Sequence, residues 1–251
     1  MAAPVAEPQS ALLSMPMALP GAEAHWPKAY LSRRAAGTMS LASEAGRIAR
    51  AAWLSGLGFN ADKALTLTLV HSREVIAAES PAELEGVEAD GIVSANPELC
   101  ALVTVADCMP IFLFDPESGA YGMLHSGWKG TGIVVNAARL MARRYGTRME
   151  KLAVHFGPHI GSCCYRVDEE RAVLFAKEFG GEAVRHVDGR PHLNLLAANM
   201  ALARSLGIGA ISYSSACTSC DDGLGSFRRE GAQGFTRMAA VIGFPRGRGE
   251  P

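Results

Sequence analysis

Leu102-Val103-Thr104-Val105-Ala106-Asp107-Cys108-Met109-Pro110-Ile111-Phe112-Leu113-Phe114 runs through the turn Asp115-Pro116-Glu117-Ser118-Gly119 into Tyr121-Gly122-Met123-Leu124-His125-Ser126-Gly127-Trp128-Lys129-Gly130. Three short apolar runs, Leu102 to Ala106, Ile111 to Phe114 and Tyr121 to Leu124, are separated by turn chemistry. This predicts three consecutive antiparallel strands. Cys108 and His125 fall at or just past strand ends. Upstream, Leu65 to Val70 alternates Thr with Leu or Val, as a strand with one polar face does, and His71 follows it directly. Strand ends carry sites well, because the sheet fixes the backbone while the loop beyond stays open.

Outward from this stretch, four helices are legible. Ser43 caps a run whose apolar residues, from Ala45 to Trp53, recur at helical spacing, and Gly56 and Gly58 can end it. Ile133 to Tyr145 presents Ile133, Ala137, Leu140 and Met141 on one face and stops at Gly146. Asp168 to Phe179 opens on acidic residues that complement the helix dipole. Asn194 to Leu206 is closed by Gly207. Strands are predicted over Leu152–Phe156, Ala210–Tyr213 and Met238–Ile242. Strands grouped first, with helices interspersed later, predict an α+β fold rather than regular βαβ winding. The expectation is a single layered domain over residues 28–243, with mixed, largely antiparallel β-sheets flanked by helices. Residues 1–27, rich in Ala and Pro, read as a loosely ordered lead-in, and 244–251 as a tail.

A chain of 251 residues that is 49% hydrophobic can bury a substantial core. A net charge of -1 without a basic run argues against nucleic acid or an acidic membrane surface as partner. No apolar run approaches the roughly 18 residues of a spanning helix, and the start lacks the basic character of a secretory signal. Six cysteines in a chain without an export signal read as reduced thiols in the cytoplasm.

Two imidazoles and a thiolate are good zinc ligands and leave a fourth tetrahedral position free, as catalytic zinc sites do. Copper accepts the same donors. His71, Cys108 and His125 are therefore candidate metal ligands. Two other readings stand beside this one: strand-end histidines with a small buried cysteine, or Cys108 as nucleophile with His125 as its base. Gly225-Ser226-Phe227-Arg228-Arg229 sets two guanidinium groups beside a small hydroxyl-bearing turn, a fit for phosphate. Cys217-Thr218-Ser219-Cys220 has the spacing of half a zinc knuckle. Without a second such pair, it reads as a loop with two incidental thiols. Gly157-Pro158-His159-Ile160-Gly161-Ser162-Cys163-Cys164-Tyr165 reads as a shaped wall, and His25, His155, His186 and His192 as packing residues.

Taken in order, these phrases resemble the laccase-domain family, also called YfiH-like. Its members are described as polyphenol oxidases, purine nucleoside phosphorylases and peptidoglycan editing factors. The likeness runs from about Ser40 to Ile242 and is carried by Val70-His71, Ala89-Asp90-Gly91, Ala106 through Pro110, His125 through Gly130, Gly157 through Gly161, Cys163-Cys164-Tyr165, Asn194 through Asn199, Cys217-Thr218 and Ser226-Phe227-Arg228-Arg229. The resemblance implies a layered α+β domain and a zinc site on His71, Cys108 and His125. It also implies phosphorolysis of purine nucleosides to free base and ribose 1-phosphate, with adenosine deamination in some members. On that reading Cys108 and His125 serve catalysis, while Arg228, Lys129 and Ser226 meet substrate or phosphate. A copper-dependent phenol oxidase, a cysteine amidase editing cell-wall precursors and a non-catalytic nucleoside or metal binder are the rival expectations. Lys129 stands where the family usually has Arg, Ser126 where it has Ala, and Ser72 where Gly is common. Gly234-Phe235-Thr236-Arg237 replaces a Thr-Gly-Arg phrase. These departures spare the metal ligands and leave room for a shifted substrate specificity.

Overall fold

The computed structural model describes residues 12–14 and 26–246. In chain order the strands are β1 (Leu12–Ser14), β2 (Lys28–Ser32), β3 (Ala64–Leu65), β4 (Val75–Ala77), β5 (Gly91–Ser94), β6 (Cys100–Val105), β7 (Met109–Phe114), β8 (Tyr121–Ser126), β9 (Ala153–Phe156), β10 (Val184–Val187), β11 (Arg190–Leu193), β12 (Ala210–Tyr213) and β13 (Met238–Gly243). The helices are α1 (Glu44–Gly56), α2 (Ile133–Tyr145), α3 (Glu169–Phe179), α4 (Leu195–Ser205) and the single turn α5 (Phe227–Glu230).

Helix limits follow local chemistry. Ser43, Asp168 and Asn194 each accept the backbone N–H three residues on, capping α1, α3 and α4. Gly146 ends α2 in the left-handed region, which glycine enters without steric cost.

Period-2 alternation divides the strands between three apolar interfaces. On β7, Ile111 and Leu113 face helices α2 and α4, whereas Phe112 and Phe114 face the other sheet. On β6, Val103 and Val105 face that same sheet interface, whereas Cys100 and Leu102 pack toward Leu54 of α1. The result is four layers: α1, a five-stranded sheet ordered β1-β2-β13-β6-β3, a six-stranded sheet ordered β12-β9-β7-β8-β5-β4, and helices α2 to α4. Most pairings are antiparallel; β3 with β6, β4 with β5 and β12 with β9 are parallel. Each large side chain fully buried at these interfaces, such as Phe112 or Leu31, contributes about 1.5–3 kcal/mol.

Four expectations are corrected. Leu102–Ala106 and Ile111–Phe114 do not pair with each other: β6 lies in one sheet and β7 in the other, and the chain crosses at Ala106-Asp107-Cys108. Alternation gives the face of a strand but not its neighbour. Leu65–Val70 is a strand only at its start. Thr68 makes a single bridge to Glu88, and from Val70 the backbone turns its amides toward a carboxylate instead of a neighbouring strand. β7 and β8 are longer than their apolar runs, because Met109 pairs with Ser126 and Pro110 with His125, so His125 lies inside its strand. Within the stretch read as a lead-in, Leu12–Ser14 pairs with β2. Residues 1–11, 15–25 (with His25) and 247–251 lie outside the described residues. No helix among the described residues is long and apolar enough to cross a membrane.

Candidate active site

The crossover from one sheet to the other builds the site. Asp107 occupies the left-handed region at φ 82°, a conformation costly for a residue with a Cβ. Its carboxylate holds it there, accepting the Thr218 hydroxyl on Oδ1 and the Arg228 amide on Oδ2, each at 2.6 Å. Cys108 follows directly and is half-buried.

His71 is also left-handed, at φ 60°. The group that fixes it is Asp90, fully buried just before β5. One Asp90 oxygen accepts the His71 amide at 3.0 Å and Nδ1 of His125 at 2.8 Å. The other accepts the amides of Val70 and Ser72 and the Ser72 hydroxyl. Burial pushes the Asp90 carboxyl up, but the hydrogen bonds from His125 and Ser72 outweigh it and bring the group down to about 2. An ionised carboxylate is what so many converging donors require.

His71, Cys108 and His125 offer ligand atoms that all lie within 4.8 Å of one another. The imidazole rings stand edge-on, centroids 4.9 Å apart. Asp90 takes Nδ1 of His125 and leaves Nε2 for the cluster, the arrangement a metal-ligating histidine needs. Burial pushes the Cys108 thiol up, but the adjacent His125, and hydrogen bonds with His125 and His71, outweigh that and favour the thiolate. In return, His125 is held toward imidazolium against its own burial. A Cβ at Gly127 would meet the Cys108 Sγ at 2.8 Å, so the bare backbone there makes room for the thiolate. On donor chemistry and spacing, the three residues fit a single metal ion. Gly127→Ala is expected to weaken metal binding at this triad by about 10-fold or more, on the scale of other near-ligand changes, with little loss of fold. Metal titration of the purified variant checks it.

The triad opens into a cleft of about 590 Å³. Its walls carry Trp128, Tyr165, Phe227 and Phe235. Three arginines lie over these rings: Arg171 at 4.8 Å from Trp128, Arg228 at 5.6 Å from Tyr165 and Arg237 at 4.2 Å from Phe235. Arg228 also donates to the carbonyls of Cys164 and Arg166, both at 3.0 Å, which locks its fork.

Of the residues singled out from sequence, His71, Cys108, His125 and Arg228 therefore meet at one cleft. Lys129 does not line it; its ammonium lies 5.6 Å from the centre of the Trp128 ring. Ser226 is fully buried, caps α5 by accepting the Arg229 amide, and does not line the cleft. In the sequence Asp90 stands out only as part of the Ala89-Asp90-Gly91 phrase, and Arg171, inside the helix predicted over Asp168–Phe179, carries no signal of its own. The wall read into Gly157–Tyr165 contributes Ile160 and Tyr165 to the cleft, while His159 turns inward to the Gly157 carbonyl. His155 is buried beside Ser212, with burial bringing it down to about 4.

Over residues 41–245 the chain matches the family described as multi-copper polyphenol oxidoreductase laccase. It is 38% identical over 202 residues to a purine nucleoside phosphorylase of Deinococcus radiodurans, covering 80% of this chain and 78% of that one. With a purine nucleoside phosphorylase of Corynebacterium glutamicum the identity is 31% over 194 residues, covering 76% and 78%. Among solved structures, YlmD from Geobacillus stearothermophilus has a TM-score of 0.78 at 25% identity, covering 86% of this chain and 91% of that one. The YfiH protein of Bacillus licheniformis has a TM-score of 0.79 at 24% identity, covering 86% and 92%. The α+β architecture expected from the sequence is the fold of these proteins.

Proposed function

This chain belongs to the family described as multi-copper polyphenol oxidoreductase laccase, and from that premise we propose that it is a purine nucleoside phosphorylase. Adenosine or inosine and phosphate would yield the free base and ribose 1-phosphate. The observation that carries the reading is the cleft, where aromatic planes, guanidinium groups and a metal-capable triad face one volume. Two relatives above 30% identity that bear this activity's name support it.

A purine has flat faces, and the Trp128, Tyr165, Phe227 and Phe235 rings supply stacking surfaces worth about 1–3 kcal/mol per base. Arg228 has two of its five N–H groups on backbone carbonyls, leaving three for an anion. With Arg171 and Arg237 it holds phosphate against the sugar. A phosphate oxygen attacks the anomeric carbon as the carbon–nitrogen bond breaks; the bonding pair leaves with the base, which takes up the proton that phosphate gives up. The arginines contribute orientation and charge neutralisation. We assign zinc to His71, Cys108 and His125; when bound it supplies Lewis-acid polarisation of a substrate oxygen. A side reaction, adenosine and water to inosine and ammonia, would instead have water attack C6 of the purine ring, with the amino group leaving as ammonia. The free thiols suit a reducing, cytoplasmic setting.

The test is incubation of purified protein with adenosine and with inosine, with and without phosphate, and chromatography of the products. Phosphate-dependent release of adenine and hypoxanthine is expected; no free base under any condition would overturn the reading. Arg228→Lys keeps the charge but loses the two-pronged geometry. It is expected to raise the KM for phosphate about 10- to 100-fold, the worth of about one charge-assisted hydrogen bond. Initial rates at varied phosphate check this.

One observation favours a second reading. The Cys108–His125 pair, thiolate beside imidazolium, is also the ground state of a cysteine amidase. That enzyme would be indifferent to phosphate and would cleave amides in metal-free protein until Cys108 was alkylated.

A further inference from the structure

Read along the chain, Cys217 and Cys220 lack a second pair of like spacing. Space supplies one. The adjacent Cys163 and Cys164, on the loop after β9, meet Cys217 and Cys220, on the loop after β12, and the ligand atoms of all four lie within 4.8 Å of one another. β9 and β12 are parallel neighbours, so both loops leave the same end of the sheet. Each loop curls its thiols toward the other: the amides of Cys164 and Tyr165 both donate to the Gly161 carbonyl, and those of Cys220 and Asp221 to the Cys217 carbonyl.

The spacing suits one ion. Zinc–sulfur bonds of about 2.3 Å in a tetrahedron put sulfurs about 3.8 Å apart. Cys220 Sγ lies 3.7 Å from Cys163 Sγ and 3.3 Å from Cys164 Sγ. A disulfide holds its two sulfurs at about 2.05 Å, and here one sulfur faces two others. The Gly161 amide donates to Cys217 Sγ at 3.2 Å, a bond that supports a thiolate ligand. A Cβ on Gly161 would come within 3.1 Å of Cys163 Sγ and 3.3 Å of the Cys217 Cβ, so the backbone there is shaped around the thiol group.

We propose that Cys163, Cys164, Cys217 and Cys220 form a second metal site, a closed four-thiolate centre for one zinc-class divalent cation. All four positions being protein ligands, the site is structural. It ties together the two loops that brace the cleft. The Cys164 carbonyl holds Arg228, and Thr218, between the two C-terminal ligands, holds Asp107 through its hydroxyl and Arg229 through its carbonyl. The proposal does not depend on which reaction the cleft performs.

The test counts ions by native mass spectrometry on full-length protein that has been reduced, stripped with chelator and refilled with zinc alone. Wild type is expected to carry two ions and Cys108→Ala one. Adding Cys217→Ser and Cys220→Ser to Cys108→Ala should leave none. Cobalt in place of zinc should give Cys108→Ala the intense thiolate charge-transfer and visible bands of a tetrahedral multi-thiolate centre. Cys220→His preserves four ligands and guards against misfolding of the serine variant; on the Cys108→Ala background it should keep its ion. A Cys108→Ala protein that binds no zinc would overturn the proposal. So would unreduced protein, as isolated, with a disulfide among these four cysteines.

Discussion

Cys108→Ala is expected to lose nucleoside phosphorolysis by about a thousand-fold, corresponding to the several kcal/mol that a metal's charge stabilisation supplies. It should also lose the ion at His71 and His125. The substitution removes the only sulfur of this triad and leaves the αL turn at Asp107 intact, since Thr218 and the Arg228 amide hold that turn through the Asp107 carboxylate. Fold should therefore persist while chemistry does not. Product chromatography, metal analysis and thermal unfolding on the same preparation check this. If turnover survives with the triad's ion gone, the triad is not the reacting centre.

Asp90→Asn is expected to show the largest stability loss of any conservative change near the cleft. Both Asp90 oxygens accept, one from His71 and His125, the other from Val70 and Ser72. An amide has one acceptor oxygen, so its NH₂ would face backbone donors in a fully buried place. Breaking a buried charged network of this kind costs about 3–5 kcal/mol, or roughly 10 °C in melting temperature for a domain of this size. Loss of the carboxylate behind His125 should weaken metal binding about 10- to 100-fold. Thermal unfolding and zinc titration check the two parts separately. A melting temperature within about 2 °C of wild type would show that the amides of Val70, His71 and Ser72 find other acceptors.

The helices were the most legible part of the chain, because their signals are local. Ser43, Asp168 and Asn194 announce starts, and Gly146 announces a stop within one residue of the observed limit. Strand pairing was less legible. The apolar run Leu102–Ala106 marks a strand but not its partner, since both of its faces are covered, one by a helix and the other by a sheet. His71, Cys108 and His125 could be picked out by residue type and by their place at strand ends. Asp90 could not, since an Asp before Gly reads as an ordinary turn until the fold closes three amides around it. Lys129 and Ser226 have residue types that suit an anion, but their side chains go to a ring and a helix cap. Likewise Cys163 and Cys220 are 57 residues apart, and only the parallel pairing of β9 with β12 brings them together.

The crossover at Ala106-Asp107-Cys108 has a consequence for how the protein breathes. Cys108 sits where the chain passes between the two sheets, His125 belongs to the six-stranded sheet, and His71 comes from the segment between an edge strand of each. Neither sheet owns the triad. An ion shared by these residues would act as a rivet through the seam, so separating the layers would also eject the ion. Its binding free energy is then added to the cost of that particular opening, and not to fraying at the outer helices. With that ion bound, occupancy and interlayer cohesion would become one quantity.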